Sequence, residues 1–277
     1  PPDAVDVDAL PVRNASHLMG RLWQCGRLWS RAQRCFDTFT PDVVVGFGGW
    51  VSAPIVLAAK QRRIACLVHE QNVVPGRANR WLARWVDRVA VSFQETCTAL
   101  EGARAVTTGL PIRERIGDAS RSGSAASLGL NAQRPTVLVL GGSQGSQALN
   151  RLMREAAGGF TPEERKRWQI LHLTGTTDAR SLEDAYAACQ VAAVVKPFLV
   201  EMEAAYAHAD VVIARAGAST VMELARCGIP AVLIPYPYAN GHQRANARIV
   251  ESVGGGVVLE EHEATPQRLL AALRRIL

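Results

Sequence analysis

Two short stretches combine residue types suited to holding an anion beside a diol. RAGASTVME (215–223) follows an apolar run. Gly217 closes its turn, and Ala218, Ser219 and Thr220 then offer backbone N–H groups and hydroxyls at a helix start, an arrangement that suits a diphosphate. Glu223 follows one turn later, where a carboxylate can accept two hydrogen bonds from a diol such as ribose. The competing account is an N-capping Ser or Thr with an acid in the first turn, worth about 1 kcal/mol of helix stability. GGSQGSQALN (141–150) repeats the pattern after VLVL. Its glycines let the backbone take positive φ and approach a ligand closely, and the helix that follows presents unpaired N–H groups and partial positive charge. A plain tight turn is the alternative there; two such strand ends together favour a ligand.

Four more polar clusters follow apolar runs: GFGGWVS (46–52), HEQN (69–72), TGLPIR (108–113) and PYPYANGHQRANA (235–247). Six polar strand ends exceed what turns alone require, and ligands of parallel α/β sheets bind beyond the carboxyl ends of the strands. A nicotinamide enzyme does not fit. GGSQG is not G-x-G-x-x-G, and WQILHLTG (168–175) ends without the acid that binds the adenosine ribose. Neither H-E-x-x-H nor C-x-x-C occurs. Hence neither a metal nor a cofactor is expected.

The elements that must position these clusters alternate in type. Strands are expected at 42–47, 64–70, 87–93, 103–109, 136–140, 168–175, 191–198, 210–217, 229–237 and 256–260, with helical patterns between most of them. Such β-α-β alternation implies α/β architecture with doubly wound parallel sheets. Residues 117–134, GDASRSGSAASLGLNAQR, read as an interdomain linker, which puts one domain at 1–132 and a second at 133–277. The first half holds fewer strands than a complete domain of this type, so a segment preceding Pro1 is expected.

Composition bounds the rest. At 277 residues the chain can bury two cores, and 48% hydrophobic with 20% charged residues is globular, not disordered. No apolar run approaches the roughly 20 residues that span a bilayer. Six scattered cysteines suit a reducing compartment. The net charge of +6 is concentrated: Arg21, Arg27, Arg31 and Arg34 interleave with Trp23 and Trp29, and Arg77, Arg80, Arg84 and Arg88 surround Trp81 and Trp85. Basic, tryptophan-bearing helices suit an anionic membrane surface; solvated arginines over ordinary core faces are the alternative. No signature of nucleic-acid binding accompanies the charge.

GFGGWVSAP, HEQN, GLPIR, GGSQGSQALN, RAGASTVME and HQRANA, in this order and spacing, resemble the MurG family over essentially the whole chain. These transferases add N-acetylglucosamine from UDP-N-acetylglucosamine to a polyprenyl-diphosphate-linked acceptor, lipid I, on the cytoplasmic face of the bacterial membrane. The resemblance implies the GT-B fold, two Rossmann-like domains facing a central cleft, with an inverting, metal-independent reaction. By that likeness Ser143 meets the diphosphate, assisted by Ala218, Ser219 and Thr220, and the helix runs on through Val221 and Met222 to Glu223, which holds the ribose. Arg113 and the backbone near Leu199 flank uracil, and Gln243, Asn246 and Asn72 contact the N-acetylglucosamine. Asn150 matches a polar family position of unspecified role.

There are departures from the family pattern. Leu110 stands where the family usually writes Asn before Pro, and both ends look truncated. The family's histidine in an N-terminal glycine-rich loop has no counterpart among the six histidines, so no catalytic residue is assigned; His69 is the nearest substitute. Donor binding without efficient transfer is therefore one expectation, and a related enzyme acting on another lipid acceptor, such as diacylglycerol, is a further reading.

Overall fold

The structure, a computed structural model, describes residues 18–142, 145–176 and 179–277. They form two compact units that part after Gly109. In the first, α1 (Leu18–Phe39) turns Leu28, Ala32 and Phe36 into the core, a stripe repeating every four residues. Then follow β1 (Val43–Gly46), α2 (Gly49–Gln61), β2 (Ala65–Glu70), α3 (Arg77–Leu82), β3 (Arg88–Val91), α4 (Gln94–Ala99) and β4 (Ala105–Thr107). The strands pair in parallel in the order β1-β2-β3-β4. Asp87 pins the middle of this sheet, accepting from the Cys66 amide at 2.8 Å and from Lys60 at 3.0 Å.

The second unit runs α5 (Arg121–Leu128), β5 (Thr136–Leu140), α6 (Gln147–Ala156), α7 (Pro162–Arg167), β6 (Gln169–Leu173), α8 (Ala179–Ala188), β7 (Ala193–Lys196), α9 (Met202–His208), β8 (Val211–Ala214), α10 (Ala218–Cys227), β9 (Ala231–Leu233), α11 (His242–Ser252), β10 (Gly256–Val258) and α12 (Pro266–Ile276). Its six strands are parallel in the order β10-β9-β8-β5-β6-β7. Because both faces of the sheet are covered, β5, β6 and β8 are buried at every residue. All ten strands among the described residues fall where the sequence pattern puts them.

The segment expected to be a linker differs. Residues 121–128 form α5, which ends at Gly129 in the left-handed conformation and packs on α9. Ala125 and Leu128, three residues apart, are buried, and Arg121 grips Asp210 with two bonds of 2.8 and 2.7 Å. Small-residue composition hid a helix that tertiary contacts stabilise. Two more helices, α4 and α7, escaped the sequence pattern. Residues Thr161 and Glu164 close a full capping box around α7, with Pro162 in its first turn.

Candidate functional site

The strand order of the second unit reverses between β5 and β8: β6 and β7 lie to one side, β9 and β10 to the other. A parallel sheet opens a crevice outside its carboxyl edge at such a switch point, because the connections leave in opposite directions. Both glycine-bearing turns lie there. The turn after β5 leads into α6, and the turn after β8 leads into α10. Two adjoining cavities of about 240 and 570 Å³ share Gly141, Gly142 and Thr220 in their walls.

Close backbone approach explains the glycines of the first turn. A Cβ on Gly141 would stand 2.5 Å from the Ser146 amide nitrogen, and one on Gly145 would stand 2.3 Å from the Thr174 carbonyl oxygen. Gly145 also sits at φ +75°, which side chains disfavour. Ser146 then caps α6, accepting from the Leu149 amide at 3.3 Å. In the second turn the N-cap of α10 is Gly217, and no side chain caps it. The hydroxyls of Ser219 and Thr220 are thus not spent on capping, which removes that account of them. The amides of the first turn, lacking helical partners, point outward with the positive end of the helix dipole.

The smaller cavity is lined by Arg113, Leu199, Met202, Tyr206, Thr220 and Glu223, among others. Tyr206, 2% exposed, donates to Glu223 Oε2 at 2.7 Å. Burial first, and the Glu223 charge second, raise the Tyr206 phenol far above its usual range, so it keeps its proton. One carboxylate oxygen is held while the other retains its acceptor capacity for a ligand. Arg113 donates to the Val200 carbonyl at 3.2 Å, which fixes it beside the loop after β7.

Arg215, just after β8, lines the larger cavity and was not singled out from the sequence. It is 9% exposed, directs Nη2 to Ser146 Oγ at 2.9 Å and Nη1 to the Ile234 carbonyl at 3.1 Å, and pairs with Glu261. The Tyr236 ring lies 5.5 Å from its guanidinium carbon. One side chain therefore ties together β8, β9 and the start of α6 at the wall of the larger cavity. The available signal was an arginine closing the fully apolar strand VVIA. Gln243 lines the same cavity and accepts from the Tyr236 amide at 2.9 Å.

In the first unit the HEQN loop is organised around Glu70, 1% exposed. Its carboxylate accepts from the amides of Asn72 and Gly76, both at 2.9 Å, and from Asn79 Nδ2 at 2.7 Å. Asn79 in turn packs under Gly48, where a Cβ would approach its amide to 2.9 Å. Glu70 thus locks the loops after β1 and β2 together. His69 is buried, with Nε2 3.0 Å from the Gly109 carbonyl, so that nitrogen carries the proton.

Comparison with known proteins now adds to this geometry. Residues 136–277 match the glycosyltransferase family 28 C-terminal domain, and residues 3–91 match the family's N-terminal domain. A relative from Halothermothrix orenii, named UDP-N-acetylglucosamine--N-acetylmuramyl-(pentapeptide) pyrophosphoryl-undecaprenol N-acetylglucosamine transferase, is 40% identical over 99% of this chain and 76% of its own length. The chain belongs to the MurG family. A relative of the same name from a Nocardioides species is 44% identical over 83% of this chain and 62% of its own length. The solved structure of Acinetobacter baumannii MurG superposes with a TM-score of 0.73 at 30% identity, covering 95% of this chain and 73% of that one. The two parallel-sheet α/β units are those of the GT-B fold.

The residues named by the MurG-family resemblance lie in different places. Arg113, Leu199, Thr220, Glu223 and Gln243 come together in the walls of the two adjoining cavities, with Ala218 and Ser219 beginning α10 beside them. Val221 is buried with Leu224 on the inward side of that helix, and Met222 is half-buried. Asn246 is fully buried behind the cavity and donates to the Ala216 carbonyl at 3.2 Å, which supports the turn into α10. Asn72 lies in the first unit on Glu70. Ser143 lies outside the described residues.

Proposed function

We propose that this chain transfers N-acetylglucosamine from UDP-N-acetylglucosamine to the undecaprenyl-diphosphate-linked N-acetylmuramyl-pentapeptide, lipid I, to give lipid II. The single observation that carries the donor half is the cavity pair at the β5/β8 switch point. There, two helix N-termini, a glycine turn and a tyrosine-held carboxylate converge. In this reading uracil lies between Arg113 and Leu199, and the ribose hydroxyls donate to Glu223. The diphosphate sits over the Gly141–Gly145 turn, with Ser143, and the start of α10 at Ala218, Ser219 and Thr220. Gln243 takes the N-acetylglucosamine, and Asn246 acts by holding the turn behind it. An acceptor hydroxyl attacks the anomeric carbon, the bond from that carbon to the β-phosphate oxygen breaks with its electron pair going to UDP, and the hydroxyl proton passes to solvent water. Helix dipoles aimed at the departing diphosphate stabilise the charge that develops there.

The acceptor is lipid-bound, so the enzyme works on the cytoplasmic face of the cell membrane. Supporting this, Trp81 and Trp85 stand out from the first unit at 44% and 55% exposure, with Arg77, Arg80 and Arg84 also exposed around them. Trp23 on α1 is exposed with Arg27 stacked on its ring at 4.6 Å, whereas Trp29 packs against the core. Among the described residues no helix is long and apolar enough to cross a membrane. The deciding experiment is transfer of radiolabelled N-acetylglucosamine to lipid I or to diacylglycerol in mixed micelles. Label on lipid I alone is expected. Label on diacylglycerol alone would move the assignment to another lipid acceptor, and failure to bind UDP would overturn the donor assignment.

A further inference from the structure

Asn150, His172 and Tyr186 form a hydrogen-bond chain in the core of the second unit, none of them more than 1% exposed. The Tyr186 hydroxyl is 2.9 Å from His172 Nδ1, His172 Nε2 is 3.1 Å from Asn150 Oδ1, and Asn150 Nδ2 donates to the Thr174 carbonyl at 3.1 Å. The far end fixes every proton. A carbonyl only accepts, so Asn150 turns its NH₂ to Thr174 and its oxygen to His172. That oxygen requires a proton on His172 Nε2, which leaves Nδ1 to accept from Tyr186. Burial keeps the imidazole neutral and the phenol protonated, the forms this direction needs.

Three polar side chains in a core cost desolvation that hydrogen bonds at best offset. Apolar residues of similar volume would serve stability as well, so the chain has another consequence. Its terminus shows which. The Thr174 carbonyl is the atom that leaves no room for a Cβ on Gly145, whose amide closes the glycine turn on the Gly142 carbonyl at 2.9 Å. Thr174 is held from the other side as well, its amide donating to the Lys196 carbonyl at 3.0 Å.

We propose that Tyr186, His172 and Asn150 are positioning residues that press the Thr174 carbonyl against Gly145 and so set the glycine turn on which the donor's phosphates rest. The phosphate contact rests on the nucleotide reading above; the mechanical coupling does not. Tyr186→Phe and Asn150→Ala, titrated calorimetrically with UDP and with uridine, test it. Network substitutions of this kind shift coupling by about 2- to 30-fold. The Kd for UDP is expected to rise by that much, more for Asn150→Ala, while uridine, which lacks phosphates, binds as before. Unchanged UDP affinity in both variants, or equal weakening of UDP and uridine, would overturn the proposal. If the unaltered protein binds neither, the nucleotide reading falls, and hydrogen exchange at the Gly145 amide decides the relay alone. Faster exchange in Tyr186→Phe upholds it, and unchanged exchange sinks it.

Discussion

His172 makes the second unit sensitive to acid, and the size of the effect follows from its burial. The ring is fully enclosed, and burial lowers its pKa from 6.5 to about 3. Tyr186 and Asn150 are the ring's partners, and no charged side chain contributes to the shift. A base whose folded pKa is depressed binds its proton first in the unfolded chain, so its share of stability is present above pH 6.5 and declines as pH falls toward 3. Between pH 7.5 and 4.5 the unfolded imidazole gains nearly a full proton while the folded one stays neutral. With each pH unit worth roughly 1.4 kcal/mol, the loss over that range is on the order of 2–3 kcal/mol. The assay is urea unfolding of the wild type and of His172→Gln at both pH values, followed by the fluorescence of Trp168 in the same core. Other titrating groups contribute equally to both proteins and cancel in the comparison. The wild type should lose roughly 2–3 kcal/mol more than the variant on acidification. Equal losses would refute the reasoning, because they would mean that the folded state accepts the proton as readily as the unfolded one.

Two further outcomes are expected. Glu223→Ala should weaken UDP binding by about tenfold to a hundredfold or more, since a charge-assisted hydrogen bond contributes about 1.5–3 kcal/mol; unchanged calorimetric affinity in a folded variant would remove Glu223 from the ribose site. Replacing Arg77, Arg80 and Arg84 together by Glu should lower partitioning onto anionic vesicles by about a hundredfold or more, at about 1 kcal/mol for each arginine near the surface. Equal sedimentation with vesicles would make that face an ordinary solvated one.

Much of the site was legible from the chain because its geometry is local. A glycine turn between an apolar run and a helix is written in consecutive residues, so both turns at the switch point, and Glu223 one helical turn further on, could be read directly. Other features depend on partners remote in sequence. Arg215 meets Ser146, 69 residues away, and Tyr206 meets Glu223 across 17 residues. Nothing in either local pattern names the partner. For Asn246 the family resemblance implied a sugar contact; its amide donates to the Ala216 carbonyl, a partner 30 residues away that the local pattern does not name.

The sequence by itself determined the alternation of strands and helices, because burial of a parallel sheet on both faces demands unbroken apolar runs and the crossover helices demand a different period. The tertiary structure alone decided three things. It set the strand order, which brings the turns after β5 and β8 to one crevice although about 70 residues separate them. It made a helix of residues 121–128, since Ala125 and Leu128 gain only when α9 is there to cover them. And it set the roles of buried polar groups, from Glu70 to the Tyr186–His172–Asn150 chain. A polar side chain in a core is stable only with its partners in place, and those partners are fixed by packing between strands and helices that the linear pattern leaves unpaired.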